Sequence, residues 1–104
     1  MITWAFIYEH PGTDPSADRV AVERAGLRTV LVPVPDETRA AAAAVDLIEQ
    51  DGAALIELCG GFSTARAAAV VDAVGGRVPV GHVAYAVESL EGAAGYKALF
   101  EADR

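Results

Sequence analysis

Cysteine and basic residues are both scarce in this 104-residue chain. A single cysteine, Cys59, cannot form an internal disulfide, which excludes a disulfide-stapled fold. Eight Lys and Arg residues stand against fifteen Asp and Glu residues, giving a net charge of -7, and the basic residues occur singly. Because binding to a phosphate backbone needs concentrated positive charge, we expect no nucleic-acid partner.

Long hydrophobic runs and targeting signals are also missing. No apolar stretch approaches the roughly 18 residues that a membrane-spanning helix needs, so we expect no membrane partner. The opening Met-Ile-Thr-Trp lacks the basic segment and apolar core of a signal peptide. These features favour a cytoplasmic location.

Apolar residues are abundant for a chain of this length. They make up 53% of the sequence, and the mean hydropathy is +0.30. A small domain buries only part of its surface, so we expect residues 1–104 to form one domain that assembles into a homo-oligomer, a dimer or larger. The other explanation is that alanine, five in a row at 40–44, inflates the count.

The pattern of apolar residues and breakers predicts four β-α units. Strands are expected at 3–8, 28–32, 54–59 and 78–84, and helices at 14–26, 36–50, 63–74 and 89–102. Asp14 and Asp36 are the expected N-caps of the first two helices, and Gly26, Gly52 and Gly75 the expected stops of the first three. The second strand is expected to end before Pro33, because proline cannot donate to a ladder. Nearly continuous apolar strands alternating with helices predict an α/β fold with a parallel four-stranded sheet, either an open flavodoxin-like sheet or half of an eight-stranded barrel.

Polar and small residues follow the predicted strands at their carboxyl ends, where parallel β-α folds bind ligands. These are Glu9 and His10 after the first strand, Asp36 after the second, Glu57, Cys59, Gly60 and Gly61 at the third, and His82, Tyr85 and Glu88 around the fourth. Both histidines of the chain are in this set. We therefore expect a small-molecule site at this edge of the sheet.

The Gly60-Gly61 loop leads into a helix start at Ser63. Free N–H groups and the helix dipole favour an anion at such a position. The alternative is a tight turn with Ser63 as an ordinary N-cap. No lysine follows the loop as in a P-loop, and the third glycine of a dinucleotide fingerprint is absent.

Glu57 interrupts an otherwise apolar strand, and burying a carboxylate is costly unless it is paired or used. Burial in a half barrel would raise its pKa and suit it to general acid or base chemistry, with His10 and His82 as proton-transfer partners. The alternative is a structural ion pair with Arg28 or Arg77. His10, Glu57 and His82, with Cys59 as an extra ligand, also match a divalent-metal set, although no His-x-x-x-His or Cys-x-x-Cys pair occurs.

Four segments resemble a family of short bacterial proteins of about this length that is known as a domain of unknown function. They are Trp-Ala-Phe-Ile-Tyr-Glu-His-Pro-Gly at 4–12, Ile-Glu-Leu-Cys-Gly-Gly-Phe at 56–62, Val-Pro-Val-Gly at 78–81 and Val-Glu-Ser-Leu at 87–90. The resemblance spans nearly the whole chain. It implies one complete domain and carries no activity with it.

Three functions are consistent with these observations. The leading hypothesis is an isomerase- or lyase-like enzyme that acts on a small anionic or carbonyl compound without a metal or cofactor. Its catalytic residues would be Glu57, His82 and His10, and its ligand-binding residues Glu9, Cys59, Gly60, Gly61, Ser63, Tyr85 and Glu88. The alternatives are a non-catalytic small-molecule-binding or accessory oligomeric module, and a metal-dependent enzyme using His10, Glu57 and His82.

Overall fold

A five-stranded sheet organises residues 1–103, the part of the chain that this computed structural model describes. Its strands are β1 (Ile2–Glu9), β2 (Val20–Arg24), β3 (Leu27–Val34), β4 (Ile56–Leu58) and β5 (Val80–His82). The helices are α1 (Ala40–Asp51), α2 (Thr64–Val74) and α3 (Leu90–Ala102), with short 3-10 turns at Glu37–Arg39 and Val87–Ser89. No helix within this range is long and apolar enough to cross a membrane.

The strand order is β2-β3-β1-β4-β5, and the sheet is mixed. β3, β1, β4 and β5 run parallel, while β2 is antiparallel to β3. The mixed α/β class is confirmed, but the expected pure four-stranded parallel sheet is wrong. The half-barrel alternative is wrong as well, because consecutive barrel strands lie in chain order, whereas β1 lies between β3 and β4. The order of winding therefore reverses between β1 and β4.

The expected helix at 14–26 is instead a turn followed by β2. Asp14 accepts a hydrogen bond from the Ser16 amide in a local turn and caps no helix. Arg24 pairs with Leu27 across a two-residue loop in which Ala25 and Gly26 have φ of 54° and 79°. Positive φ at both central residues defines a hairpin turn whose twist suits flanking strands. The hairpin is what turns this segment into an edge strand.

β3 continues through Pro33 to Val34, so the expectation that it ends before Pro33 is wrong. β2 begins at Val20, which pairs with Leu31, and therefore does not extend beside Pro33. On the other side of β3, the carbonyl of Val34 accepts from the His10 amide at 2.8 Å. Proline is tolerated here because its missing N–H lies where no strand pairs with it.

One face of the sheet carries the hydrophobic core. Alternate residues of the strands, among them Ala5, Ile7, Val30, Val32, Ile56 and Leu58, form a single buried cluster with Ala43, Ala44, Leu47, Ala67, Val70 and Val74 of α1 and α2. The two helices also contact each other. Both therefore cover the same face, whereas the open-sheet expectation places helices on both.

The opposite face, called the open face below, is formed by the alternate positions of the same strands. It carries Ile2, Trp4, Phe6 and Tyr8 of β1, Leu27, Thr29 and Leu31 of β3, Val20, Val22 and Arg24 of β2, and Glu57 of β4. The last helix, α3, contributes no buried residue. The open face thus has no helix packed on it comparable to α1 and α2.

Helix ends follow the sequence closely. Asp36 accepts from the side chain and backbone of Thr38, and these hydrogen bonds lower the pKa of its carboxyl. Ser63 caps α2 by accepting from the Arg66 amide at 3.2 Å. Gly52 and Gly75 end α1 and α2 in the left-handed conformation that glycine adopts without penalty. The cap predicted at Ser63 and the stops predicted at Gly52 and Gly75 are confirmed, and Asp36 caps the 3-10 turn that leads into α1. The helix predicted between Asp14 and Gly26, with its cap and stop, does not form.

Candidate functional site

A cavity of about 750 Å³ opens where β1 and β4 end. Its floor is the segment from Cys59 to Ser63, with Glu9 from the end of β1 and Glu37 from the turn before α1. Its outer wall is Tyr85 and one side of α3, contributed by Ala93, Ala94, Tyr96, Lys97, Phe100 and Glu101. The winding of the sheet reverses between β1 and β4, and ligands of open α/β sheets bind in the crevice at such a point.

The Gly60-Gly61 loop shapes the cavity because the Tyr85 ring lies directly on it. A Cβ atom at position 60 would come within 2.8 Å of the ring and its hydroxyl. A Cβ atom at position 61 would meet only the Cys59 sulfur, at an ordinary 3.6 Å. Glycine is therefore needed for close packing at position 60 and not at position 61.

The amino terminus of α2 is already occupied by a carboxylate of the chain. Ser63 donates to Glu37 twice, from its backbone N–H at 3.1 Å and from its hydroxyl at 3.2 Å. Arg66 adds an ion pair to the same carboxylate at 3.9 Å. The helix dipole and the Ser63 donors are thus used by Glu37, so the anion that the loop was expected to hold is internal.

The remaining lining is acidic and aromatic. The lining contains three carboxylates (Glu9, Glu37 and Glu101) and one ammonium group (Lys97), and Arg66, which is not in the lining, offsets part of the negative charge through its ion pair with Glu37. Lys97 lies 3.9 Å from Glu101, an i,i+4 pair on α3. Three aromatic side chains, of Tyr85, Tyr96 and Phe100, complete the surface, whereas Phe62 is only 3% exposed and packs in the core. Such a lining repels anions and suits rings and cations.

Glu57 does not line this cavity. It pairs with Phe6 on one side and Gly81 on the other, which places it on the open face, with its Cγ 3.5 Å from where a Cβ on Gly81 would lie. The expected ion pairs are not formed, because Arg28 binds Glu23 and Asp51. Arg77 is likewise engaged elsewhere, with Glu49 at 3.3 Å. In a half barrel, the alternation of side chains along the strand would point Glu57 into the barrel interior. In this open sheet, the same alternation points it to the open face.

Neither histidine lines the cavity. His82 pairs with Leu58, which places it on the helix-covered side of the sheet, and its Nε2 lies 3.1 Å from the Phe62 carbonyl oxygen. His10 is exposed after β1, with Nδ1 3.1 Å from the Pro11 carbonyl oxygen. Glu57 and His82 therefore stand on opposite faces, so the proposed catalytic set does not converge.

The described residues contain no cluster of side chains that could bind a metal ion. Within residues 1–103, no group of three or more His, Cys, Asp or Glu side chains lies close enough together to hold an ion. Within the set of His10, Glu57 and His82, the sheet itself separates Glu57 from His82. Cys59 is a free, half-buried thiol at the cavity floor.

The ligand-binding residues expected from the sequence gather much better than the catalytic ones. Glu9, Cys59, Gly60, Gly61, Ser63 and Tyr85 all line the cavity. Glu88 does not; it is exposed in the 3-10 turn before α3. Two parts of the lining, Glu37 and the wall of α3, were not expected from the sequence. The available signal was the pair of aromatic residues at 96 and 100, which lie on one side of a helix.

These features define a mixed α/β domain with a cavity at the point where its sheet reverses winding. The chain belongs to a family of unknown function, DUF6506, whose model matches residues 2–98. No curated protein and no solved structure matches the chain.

Proposed function

We propose that this protein binds a small neutral or cationic organic molecule with a ring or other apolar part in the cavity between the strand ends and α3. The observation that carries the proposal is the lining itself, the aromatic side chains of Tyr85, Tyr96 and Phe100 beside three carboxylates and a single ammonium group. Rings stack on aromatic walls, and a cation gains from both the π faces and the carboxylates.

Charge is the feature that decides the ligand class. An anion entering the cavity would meet a lining that is negative overall, and the α2 amino terminus that could receive it already binds Glu37. A neutral or cationic compound meets neither obstacle. The anionic ligand expected from the sequence therefore draws less support than an uncharged or positive one.

Acid/base catalysis by Glu57, His82 and His10 also draws less support. Glu57 and His82 lie on opposite sides of the sheet, and neither they nor His10 line the cavity. General acid/base chemistry needs the groups within hydrogen-bond reach of one substrate. Of the functions inferred from the sequence, the non-catalytic binding module is the one that this geometry favours.

Three probes that differ in charge but share a ring test the ligand class. Benzylamine is protonated at neutral pH, benzyl alcohol is neutral and benzoate is anionic. We expect saturation-transfer NMR to detect benzylamine and benzyl alcohol, with benzylamine the tighter, and benzoate to bind most weakly. Preferential binding of benzoate contradicts the proposed ligand class, and failure of all three probes to bind contradicts the proposed cavity.

Tyr96→Ala provides the matching variant. Tyr96 lines the cavity from the exposed surface of α3, so its removal changes the wall without disturbing the core. We expect weaker benzylamine binding in Tyr96→Ala. The control is Leu99→Ala, which removes a side chain of similar exposure from α3 outside the lining and should leave binding unchanged.

A further inference from the structure

The open face is one side of a largely parallel sheet with no covering layer from α1 or α2. Those helices pack together on the other face, and α3 has no buried residue. Parallel strands are normally covered on both sides of the sheet by the helices that connect them, and their side chains are then apolar on both sides. The face therefore needs a covering partner.

The open face is apolar across several strands. Val20 and Val22 of β2 are 53% and 49% exposed, and Ile2 of β1 is 66% exposed. Beside them, the rings of Phe6 and Tyr8 stack with centroids 6.2 Å apart. A contiguous apolar surface on a small soluble domain marks an interaction site.

The strands place two charged side chains on this face, and they are opposite in sign. Arg24 lies on β2 at the edge of the sheet, and Glu57 lies on β4, with β3 and β1 between them. Within residues 1–103, neither side chain forms an ion pair. A face with separated, unpaired charges of opposite sign is complementary to itself when turned over.

We propose that a second copy of this chain covers the open face, so that two sheets pack face to face about a two-fold axis. The axis exchanges the two charged positions, and Arg24 of each subunit then lies opposite Glu57 of its partner. A two-fold interface uses the same patch on both subunits, which a self-complementary face satisfies. This inference is independent of the proposed function, because the cavity lies at the strand ends and not on this face.

Charge reversal tests the pairing. Arg24→Glu and Glu57→Lys each place like charges opposite one another twice in the dimer, and the double variant restores both pairs with reversed signs. We expect sedimentation equilibrium to show each single variant dimerising about tenfold more weakly and the double variant recovering. Single variants that weaken the dimer without recovery in the double variant overturn the proposed pairing.

Val22→Asp tests the face without relying on the charged pair. Val22 is exposed in the monomer, so the change is compatible with folding, which circular dichroism checks. Burying its charge at the interface should weaken the dimer by about a hundredfold or more. The matched control is Val71→Asp, a valine of similar exposure on α2, which should leave the dimer intact.

Trp4, the only tryptophan, lies on the open face and reports directly on its cover. We expect its fluorescence to shift to the red on dilution of the wild type and to be red-shifted at all concentrations in Val22→Asp. A monomeric wild-type protein overturns the proposal. A dimer that Val22→Asp leaves intact also overturns it. If Leu99→Asp on α3 disrupts that dimer, the interface is on α3 and not on the open face.

Discussion

Gly60→Ala offers a sharp test of how the cavity is built, since it changes one contact that the structure defines. The new Cβ would lie 2.8 Å from the Tyr85 ring, whereas ordinary contact begins at 3.4 Å, so the ring has to retreat by about 0.6 Å. Tyr85 is 51% exposed and has solvent to move into. The backbone at position 60 does not need a positive φ, and alanine is compatible with it.

The expected cost to stability is small, and the expected cost to binding is larger. An off-rotamer ring costs at most about 1.5 kcal/mol, and alanine regains about 0.4–1 kcal/mol by restricting the unfolded chain. The free energy of unfolding should therefore change by less than about 1 kcal/mol. Displacing one aromatic wall removes a contact worth about 0.5–2 kcal/mol to a ring or cation, which weakens benzylamine binding about twofold to thirtyfold.

Gly61→Ala is the matched control, because its Cβ makes only an ordinary contact with Cys59. Benzylamine affinity measured by NMR titration, together with urea unfolding, separates the two variants. Gly61→Ala should bind as the wild type does. Equal benzylamine affinities in Gly60→Ala and Gly61→Ala would refute the assignment of Tyr85 to the cavity wall.

Three further predictions concern the fold. Asp51, at the end of α1, bonds Arg19 at 2.9 Å and Arg28 at 3.4 Å; burial raises its pKa, but the two arginines outweigh burial and leave the pKa below 3.8. The stabilisation that Asp51 contributes is therefore present above pH 3.8 and lost as the pH falls through the lowered pKa. We expect Asp51→Asn to lower the free energy of unfolding by roughly 1–2 kcal/mol at neutral pH and by less in acid, measured by urea unfolding at both pH values. Equal losses at the two pH values would contradict this linkage. Leu47→Ala, in the core, should lower the free energy of unfolding by about 2–5 kcal/mol in the same assay. The control Val71→Ala, at an exposed position, should change it by less than about 1 kcal/mol. A loss at Leu47 as small as that of the control would count against the core assignment. Ala25→Gly should raise the melting temperature, with a gain of about 0.5–1 kcal/mol, because Ala25 has φ of 54°; a loss would contradict the hairpin.

The sequence was informative where structure depends on neighbours in the chain. The start of α2 at Ser63 and the ends of α1 and α2 at Gly52 and Gly75 were predicted. They depend on capping and on left-handed glycines, which act over only a few residues. The loop residues of the cavity were also expected at a strand end. Local chemistry sufficed for both.

Strand pairing was beyond local patterns. The segment 14–26 looked helical from Asp14-Pro15, but pairing of Val20 with Leu31 and the tight turn at Ala25 made it a strand. The same non-local register determines which face of the sheet carries Glu57. Its neighbours across the sheet, Phe6 and Gly81, place it on the open face, and nothing within its own strand specifies that face.

The wall of α3 could not be expected from the sequence for a related reason. Aromatic residues at 96 and 100 predict one apolar side of a helix, but they do not say what that side faces. Here it faces a cavity over the strand ends. Glu37 was hidden likewise, because its contact with Ser63 joins residues 26 positions apart.

The most direct test of the central claim is to map benzylamine onto the protein by amide chemical-shift perturbation with 15N labelling. The account predicts saturable shifts at residues 59–63, at Tyr85 and along the side of α3 that carries Tyr96, with none on the open face. Saturable shifts at the open face with an unperturbed 59–63 loop would contradict it.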